Sequence, residues 1–314
     1  MKNLIVVACA LSCIGAFAEE AKASEAPKPE AEVSEEESSI VSAEVSVAYE
    51  SHHVSYGLMD TKAPIVTPTG ALTFFDLLTF DAAFVMDTTH YSRKLGIGNR
   101  RWQYWELDAD AAISHTFDKE DYDVLPTSVE LGAGYTYEYH PRRAKCKTEG
   151  VNGNPDTQFV TAYMALPDLL VVPTFSYERD IIRDNGTYLN LELAHEFALV
   201  GGANEDDDPE LALTLAVAQG FGNAPRVRSY LGGTLADDER ALDHAGLMDT
   251  QFTATLDWQI TDWLKLSPYV AYVDFLFDRS IRDYSRSYEP LASGGHKADT
   301  SWHVLWGVTL SASF

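Results

Sequence analysis

The sequence predicts an all-β fold, a transmembrane antiparallel up-and-down β-barrel of about 12 strands with long outer loops and short periplasmic turns. Three observations carry this expectation. From Ile40 onward the chain divides into stretches of period-two alternation between apolar and polar residues. After the N-terminal leader no uncharged apolar run reaches roughly 18 residues, which excludes a spanning helix but not spanning strands, whose apolar residues alternate. The connections between the stretches alternate in length, tight on one side and long on the other.

The chain opens with a leader. Met1 and Lys2 are a charged start, Leu4 to Leu11 an apolar core, and Ala16-Phe17-Ala18 a small-x-small site, so residues 1–18 read as a secretory signal peptide cleaved before Glu19. Ala10-Leu11-Ser12-Cys13 is only loosely like a lipoprotein site, because Leu is missing from the usual position. With Cys9 and Cys13 removed, Cys146 alone remains, which leaves no internal disulfide and no thiolate metal site. Residues 19–39 carry eight Glu and no aromatic residue and cannot bury a core, so they read as an acidic, disordered periplasmic segment. Residues 40–314 are then the barrel.

The first strand, 40–51, puts Val41, Ala43, Val45, Val47 and Tyr49 on one face and Glu44, Ser46 and Glu50 on the other. The second, 64–75, is the weakest, because Pro64 and Pro68 each remove a ladder donor. Strands at 77–87, 101–115 and 127–140 turn Asp81, then Glu106, Asp108 and Asp110, then Glu130 and Glu138 away from their apolar faces. Strands at 157–166, 168–179 and 186–198 follow, with Glu178, Glu192 and Glu196 on the polar side. The stretch 210–220 carries Ala216 and Ala218 on that side, 248–260 carries Asp257, and 262–277 and 301–314 complete the set. Most of these reach the 9 to 11 residues that a tilted strand needs to cross the hydrocarbon.

Charge sorting supports the division. Arg100, Arg101, Arg142, Arg143, Arg226, Arg228, Arg279 and Arg282 fall in or beside the long connections at 88–100, 141–156, 221–247 and 278–300. The opposite turns are acidic, with Asp118 to Asp123 on one and Glu205 to Asp208 on another. Trp102, Trp105, Trp302 and Trp306 lie near outer strand ends and Trp258 and Trp263 flank an inner turn, which predicts two aromatic belts.

The last strand places Trp302, Val304, Trp306, Val308, Leu310, Ala312 and Phe314 on one face and His303, Thr309, Ser311 and Ser313 on the other. In this the chain resembles the Gram-negative outer-membrane β-barrel superfamily. The resemblance implies a bacterial outer-membrane location, a final strand read by the barrel-assembly machinery, and Phe314 as the terminal residue of that signal. The opening VSVAYESHHVSYG is similar to uncharacterised porin families in which an aromatic-rich segment after the first strand ends in Gly. It departs from that pattern in having Tyr56, not Arg, before Gly57.

In a membrane barrel the charged strand faces point inward. Glu44, Asp81, Glu106, Asp108, Asp110, Glu130, Glu138, Glu178, Glu192 and Asp257 would line a lumen that must be hydrated or neutralised by inward-folding arginines, expected from the long loop at 221–247. The expected function is porin-like passive diffusion of ions or small polar solutes. The alternative is a closed barrel whose basic outer loops contact lipopolysaccharide or a surface partner. Small residues on the inner face, including Gly132, Gly134, Ala216, Ala218, Gly307 and Ser311, would leave room for water and favour the pore. A formal charge of −25, about −26 without Lys2, argues against nucleic-acid binding. No G-x-S-x-G elbow or nucleotide loop occurs, and His52-His53 point to opposite strand faces, so the reading includes no enzyme activity, no cofactor and no metal.

Overall fold

The structure, a computed structural model, describes residues 40–61, 63–88, 103–122, 124–140, 156–201, 209–229, 242–283 and 301–314. The signal peptide and the acidic segment expected at 1–39 lie outside the described residues. The chain begins with β1 (Val41–Glu50), then a small hairpin of β2 (His53–Ser55) and β3 (Leu58–Thr61). It continues through β4 (Ile65–Phe74), β5 (Leu78–Asp87), β6 (Gln103–Phe117), β7 (Val129–Tyr139), β8 (Thr157–Ala165) and β9 (Val172–Asp180). β10 (Thr187–Gly201), β11 (Pro209–Gly222), a short helix α1 (Ala224–Val227), β12 (Gly246–Thr261), β13 (Leu264–Asp274) and β14 (His303–Ser313) complete it.

All strands except β2 and β3 form one closed antiparallel barrel, each pairing with its sequence neighbour, so the expected twelve strands are the observed number. Closure joins β1 to β14 with Glu44 opposite Ser313 and Tyr49 opposite Val308. The seam ends on a reciprocal pair, Ala43 N–H to Phe314 O at 3.0 Å and Phe314 N–H to Ala43 O at 2.9 Å. A closed barrel leaves no unpaired edge, the condition for strands in lipid.

Alternation decides which face looks outward. Val47, Leu72, Phe80, Ile113, Leu131, Val160, Phe175, Leu193, Phe252, Val270, Val304 and Leu310 are all exposed on the outer surface. An apolar patch that encircles the whole molecule has no place in water and fits hydrocarbon. Trp302, Trp306, Trp258 and Trp263 are 46 to 53% exposed. Trp263 stacks on Phe314 beside the β12–β13 turn, with ring centroids 6.3 Å apart, and Trp302 stacks on Tyr272 at 6.2 Å near the opposite strand ends. Trp102 and the Trp105 side chain lie outside the described residues.

The prolines sit in breaks of the ladder. Between β4 and β5 the register runs through Val66↔Met86 and resumes at Thr69↔Ala83, so Pro68 falls in the interruption. Between β12 and β13 it runs from Thr255↔Tyr269 to Trp258↔Leu266, which places Pro268 in the same situation. Each proline lacks an N–H toward one neighbour and keeps its register with the other, Pro68 opposite Val47 and Pro268 opposite Val308.

One local expectation is corrected, and two of the long connections hold structure of their own. The strand expected from 168 begins at Val172, because Leu166 to Val171 close a turn in which Leu166 N–H reaches Pro173 O and Leu169 N–H reaches Leu166 O. The apolar Leu169-Leu170-Val171 run imitates a strand start. The long connection at 52–63 contains the β2–β3 hairpin, turned by Tyr56 (φ 48°) and Gly57 (φ 81°). Two positive φ angles make a type I′ turn, whose twist suits a tight hairpin. In the loop at 221–247 a short helix, α1, is present.

The main apolar cluster is not between sheets but inside the outer mouth of the barrel. Leu58 of the hairpin, Val227 of α1, Leu242, Met248, Phe275 and Ile281 pack together, with Tyr56 and Tyr188 against them. Three long connections thus fold inward and share one small core.

Candidate functional site

Asn223 sets the site. Its side-chain Oδ1 accepts from the Arg226 N–H at 3.1 Å, capping α1, and from the Thr187 N–H at 2.9 Å, which ties the helix to the start of β10. A proline in the first turn of α1 loses no hydrogen bond there. The resulting turn directs Arg226 into the barrel, where its side chain has no exposure.

Arg226 Nη2 donates to Glu178 Oε1 at 2.8 Å. The same oxygen accepts the Tyr56 O–H at 2.6 Å. The guanidinium lies 5.1 Å from the Tyr56 ring centroid and 5.5 Å from that of Phe159, within cation–π range of both. Tyr56 meets Tyr188 edge-on at 4.9 Å, and the Tyr188 hydroxyl donates to Asp249 Oδ1 at 3.0 Å. Hairpin, helix, β8, β9, β10 and β12 therefore meet across the lumen at one charged contact.

Beside this latch lies a carboxylate ladder. Register puts Asp81 directly opposite Asp110 and Asp108 directly opposite Glu138. Thr136 donates to Asp110. Like charges across a strand pair are unfavourable unless water, a proton or a cation lies between them. At the outer end Glu106, Glu138 and the buried His140 converge, with His140 Nδ1 3.8 Å from Glu106 Oε2 and Nε2 against Glu138 Oε1.

Five of the ten acidic residues singled out from the sequence, Asp81, Glu106, Asp108, Asp110 and Glu138, thus gather on β5, β6 and β7, and Glu178 forms the latch. The other four lie apart. Glu130 accepts the Tyr163 hydroxyl, Asp257 accepts from Ser267 Oγ at 2.6 Å, Glu192 faces Ala218 and Thr174 across its two ladders, and Glu44 is exposed near the closing seam.

Of the arginines singled out from the sequence, Arg226 is placed in the lumen. Arg228 pairs with Asp243 on the exposed surface, Arg279 reaches Asp283 at 3.5 Å, and the Arg282 N–H bonds Asp278 O in the same helical turn. Arg100, Arg101, Arg142 and Arg143 lie outside the described residues. In that outer turn Asp278 is partly desolvated, yet hydrogen bonds from Ser280, the Ile281 N–H and His244 hold its carboxyl below the ordinary range.

The small inner residues do not simply leave room for water. Tyr163 lies over Gly132, its cross-strand partner, so closely that a Cβ there would meet the ring at 2.0 Å, and Tyr269 covers Gly307 in the same way at 2.5 Å. The glycines are seats for neighbouring tyrosines, an inward-facing form of aromatic packing on glycine.

Sequence reasoning gave no role to four participants. Tyr56 and the Tyr188–Asp249 pair carry no local signal, since their partners are distant in the chain. His140 had one, because Glu138-x-His140 in a strand puts both side chains on one face.

No family model matches the chain, and no curated protein matches it. Among solved structures, similarity is found to an outer membrane channel from Pseudomonas putida F1, with 11% identity, 90% of this chain and 100% of that one covered, and a TM-score of 0.45. A loop-deletion mutant of OmpT, an outer membrane protein of Vibrio cholerae, has 7% identity over 87% of this chain and 98% of that one, with a TM-score of 0.36. OprB of Pseudomonas putida has 10% identity over 81% of this chain and 60% of that one, with a TM-score of 0.30.

Proposed function

We propose that this protein is an outer-membrane channel for small polar solutes and cations, with a hydrated acid-lined passage constricted by Arg226 and Glu178. The observation that carries the reading is the arginine itself, delivered from an outer loop to a carboxylate inside a closed barrel. A charge is placed in a barrel interior at considerable cost, and such placements mark solute paths in membrane proteins. The ladder of Asp81, Asp110, Asp108 and Glu138 supplies an attractive field for cations on the way through, and the arginine narrows the path and sets the barrier. The encircling apolar surface supports a lipid-embedded location, which on this reading is the outer membrane with its lipopolysaccharide. Catalysis plays no part in this reading.

Planar-bilayer recording of the refolded protein across a salt gradient tests it. Steady conductance with a reversal potential favouring cations is expected, and Asp81→Asn with Asp110→Asn should weaken that preference. A correctly folded but silent barrel would overturn the channel reading. The apolar cluster in the outer mouth would then be a permanent plug, and the outer loops would carry a binding function.

A further inference from the structure

We propose that Glu106, Glu138 and His140 form a binding site for a divalent transition-metal ion just inside the outer mouth. The argument begins with strand register. β6 and β7 pair Leu107 with Tyr139 and Asp108 with Glu138, so Glu106 and Asp108 on one strand face His140 and Glu138 at the end of the other. Period-two geometry then turns all four toward the same side.

In this arrangement one donor atom from each of Glu106, Glu138 and His140 lies within 4.8 Å of the other two, the span of ligands around one ion. The His140 side chain is fully enclosed, with Nδ1 3.8 Å from Glu106 Oε2 and Nε2 against Glu138 Oε1; an ion would take one of these nitrogens, with the carboxylate that faces the other turned toward it. Its backbone is held as well: Asp156 accepts the His140 N–H at 2.9 Å and the Tyr137 hydroxyl at 3.2 Å. An imidazole fixed this way is presented to a ligand at little further entropic cost.

The donor set indicates the class of ion. One imidazole and two carboxylates make a three-ligand set of the kind that open zinc sites use. The imidazole favours Zn²⁺ and its transition-metal neighbours over Mg²⁺ and Ca²⁺, which prefer all-oxygen surroundings. Asp108 opposite Glu138, with Asp81 opposite Asp110 behind it, adds a negative field that draws cations toward the site. The competing arrangement is an imidazolium held between two glutamates with no ion at all. The inference stands whether or not the barrel conducts.

Titration of the detergent-solubilised protein with Co²⁺, followed by visible absorption, and with Zn²⁺ by calorimetry distinguishes the two. One saturable equivalent is expected, with Zn²⁺ displacing Co²⁺ and with Ca²⁺ and Mg²⁺ much weaker. His140→Ala should abolish that equivalent, Glu106→Gln should weaken it, and Asp156→Ala, which removes the acceptor of the His140 N–H, should weaken it by roughly tenfold through loss of positioning. His195→Ala, at a histidine on an exposed strand face, should leave it unchanged. Thermal unfolding of the strand circular dichroism confirms that each variant is folded, and Glu106→Gln serves where His140→Ala does not fold. Absence of uptake, uptake indifferent to these substitutions, or Ca²⁺ binding as tight as Zn²⁺ would each overturn the proposal.

Discussion

Arg226 and Glu178 meet at 2.8 Å inside the barrel although 48 residues separate them in sequence, and Tyr56, 122 residues from Glu178, donates to the same carboxylate oxygen. This contact ties two of the long connections to the wall. Removing one partner of such a pair leaves the other charge uncompensated in an enclosed setting. Arg226→Ala is expected to destabilise the barrel by about 3 kcal/mol and, if the passage conducts, to raise conductance and cation preference together. Chemical denaturation and bilayer recording on the same preparation measure both effects. A double-mutant cycle with Glu178→Gln should show strong coupling, and additivity would mean that the pair does not act as a unit.

Gly57 turns the β2–β3 hairpin with φ of 81°. A Cβ there would lie 2.6 Å from Phe275 Cζ and 2.7 Å from Asp249 Cβ. Gly57→Ala therefore meets both backbone strain and collision with the core of the outer mouth, for a combined loss of about 2 to 4 kcal/mol. Denaturant midpoints measure it. In a Phe275→Ala background, itself destabilised, Gly57→Ala should cost less than it does in the wild type, because one of the two colliding groups is gone.

On the opposite side of the molecule, Asp168 in the β8–β9 turn accepts the Ser128 N–H at 2.9 Å and lies 3.5 Å from Lys119 Nζ. The Ser128 backbone bond, followed by the Ser128 hydroxyl and Lys119, holds its carboxyl below the ordinary aspartate range. A depressed folded value stabilises the protein above the unfolded value and loses that stabilisation as pH falls through the folded one. Asp168→Asn should therefore lower the melting temperature at neutral pH, and the difference from wild type should vanish in acid. An equal difference at both pH values would rule out a charge effect.

Phe314 closes the barrel seam through its two backbone hydrogen bonds with Ala43 and its stacking on Trp263. Deleting Phe314 removes both bonds at the point where the first and last strands join. The expected result is a smaller fraction of folded barrel and slower insertion into vesicles, read from the heat-dependent gel mobility of the folded form. Phe314→Tyr, which keeps the ring and the backbone, should insert normally.

Exposed tryptophans report the membrane position. Trp258, Trp263, Trp302 and Trp306 should be quenched by lipids brominated near the headgroup more strongly than by lipids brominated at the chain terminus. Stronger quenching at the chain end would displace the belts from the interface.

The sequence by itself determined the strands and their faces. Side-chain direction in an extended chain reverses at every residue whatever lies elsewhere, so the alternation of Val41 to Glu50 or of Trp302 to Phe314 declares which residues must leave water. It also made an inward arginine an expectation, since so many carboxylates on one face call for a counter-charge. Tertiary structure decided which charges meet. Asp81 faces Asp110 because of strand register, Arg226 reaches Glu178 because Asn223 caps a helix onto β10, and Tyr163 fills the space above Gly132 because β7 and β8 pair at that offset. Each of these depends on contacts between residues far apart in the chain, and periodicity carries no record of them.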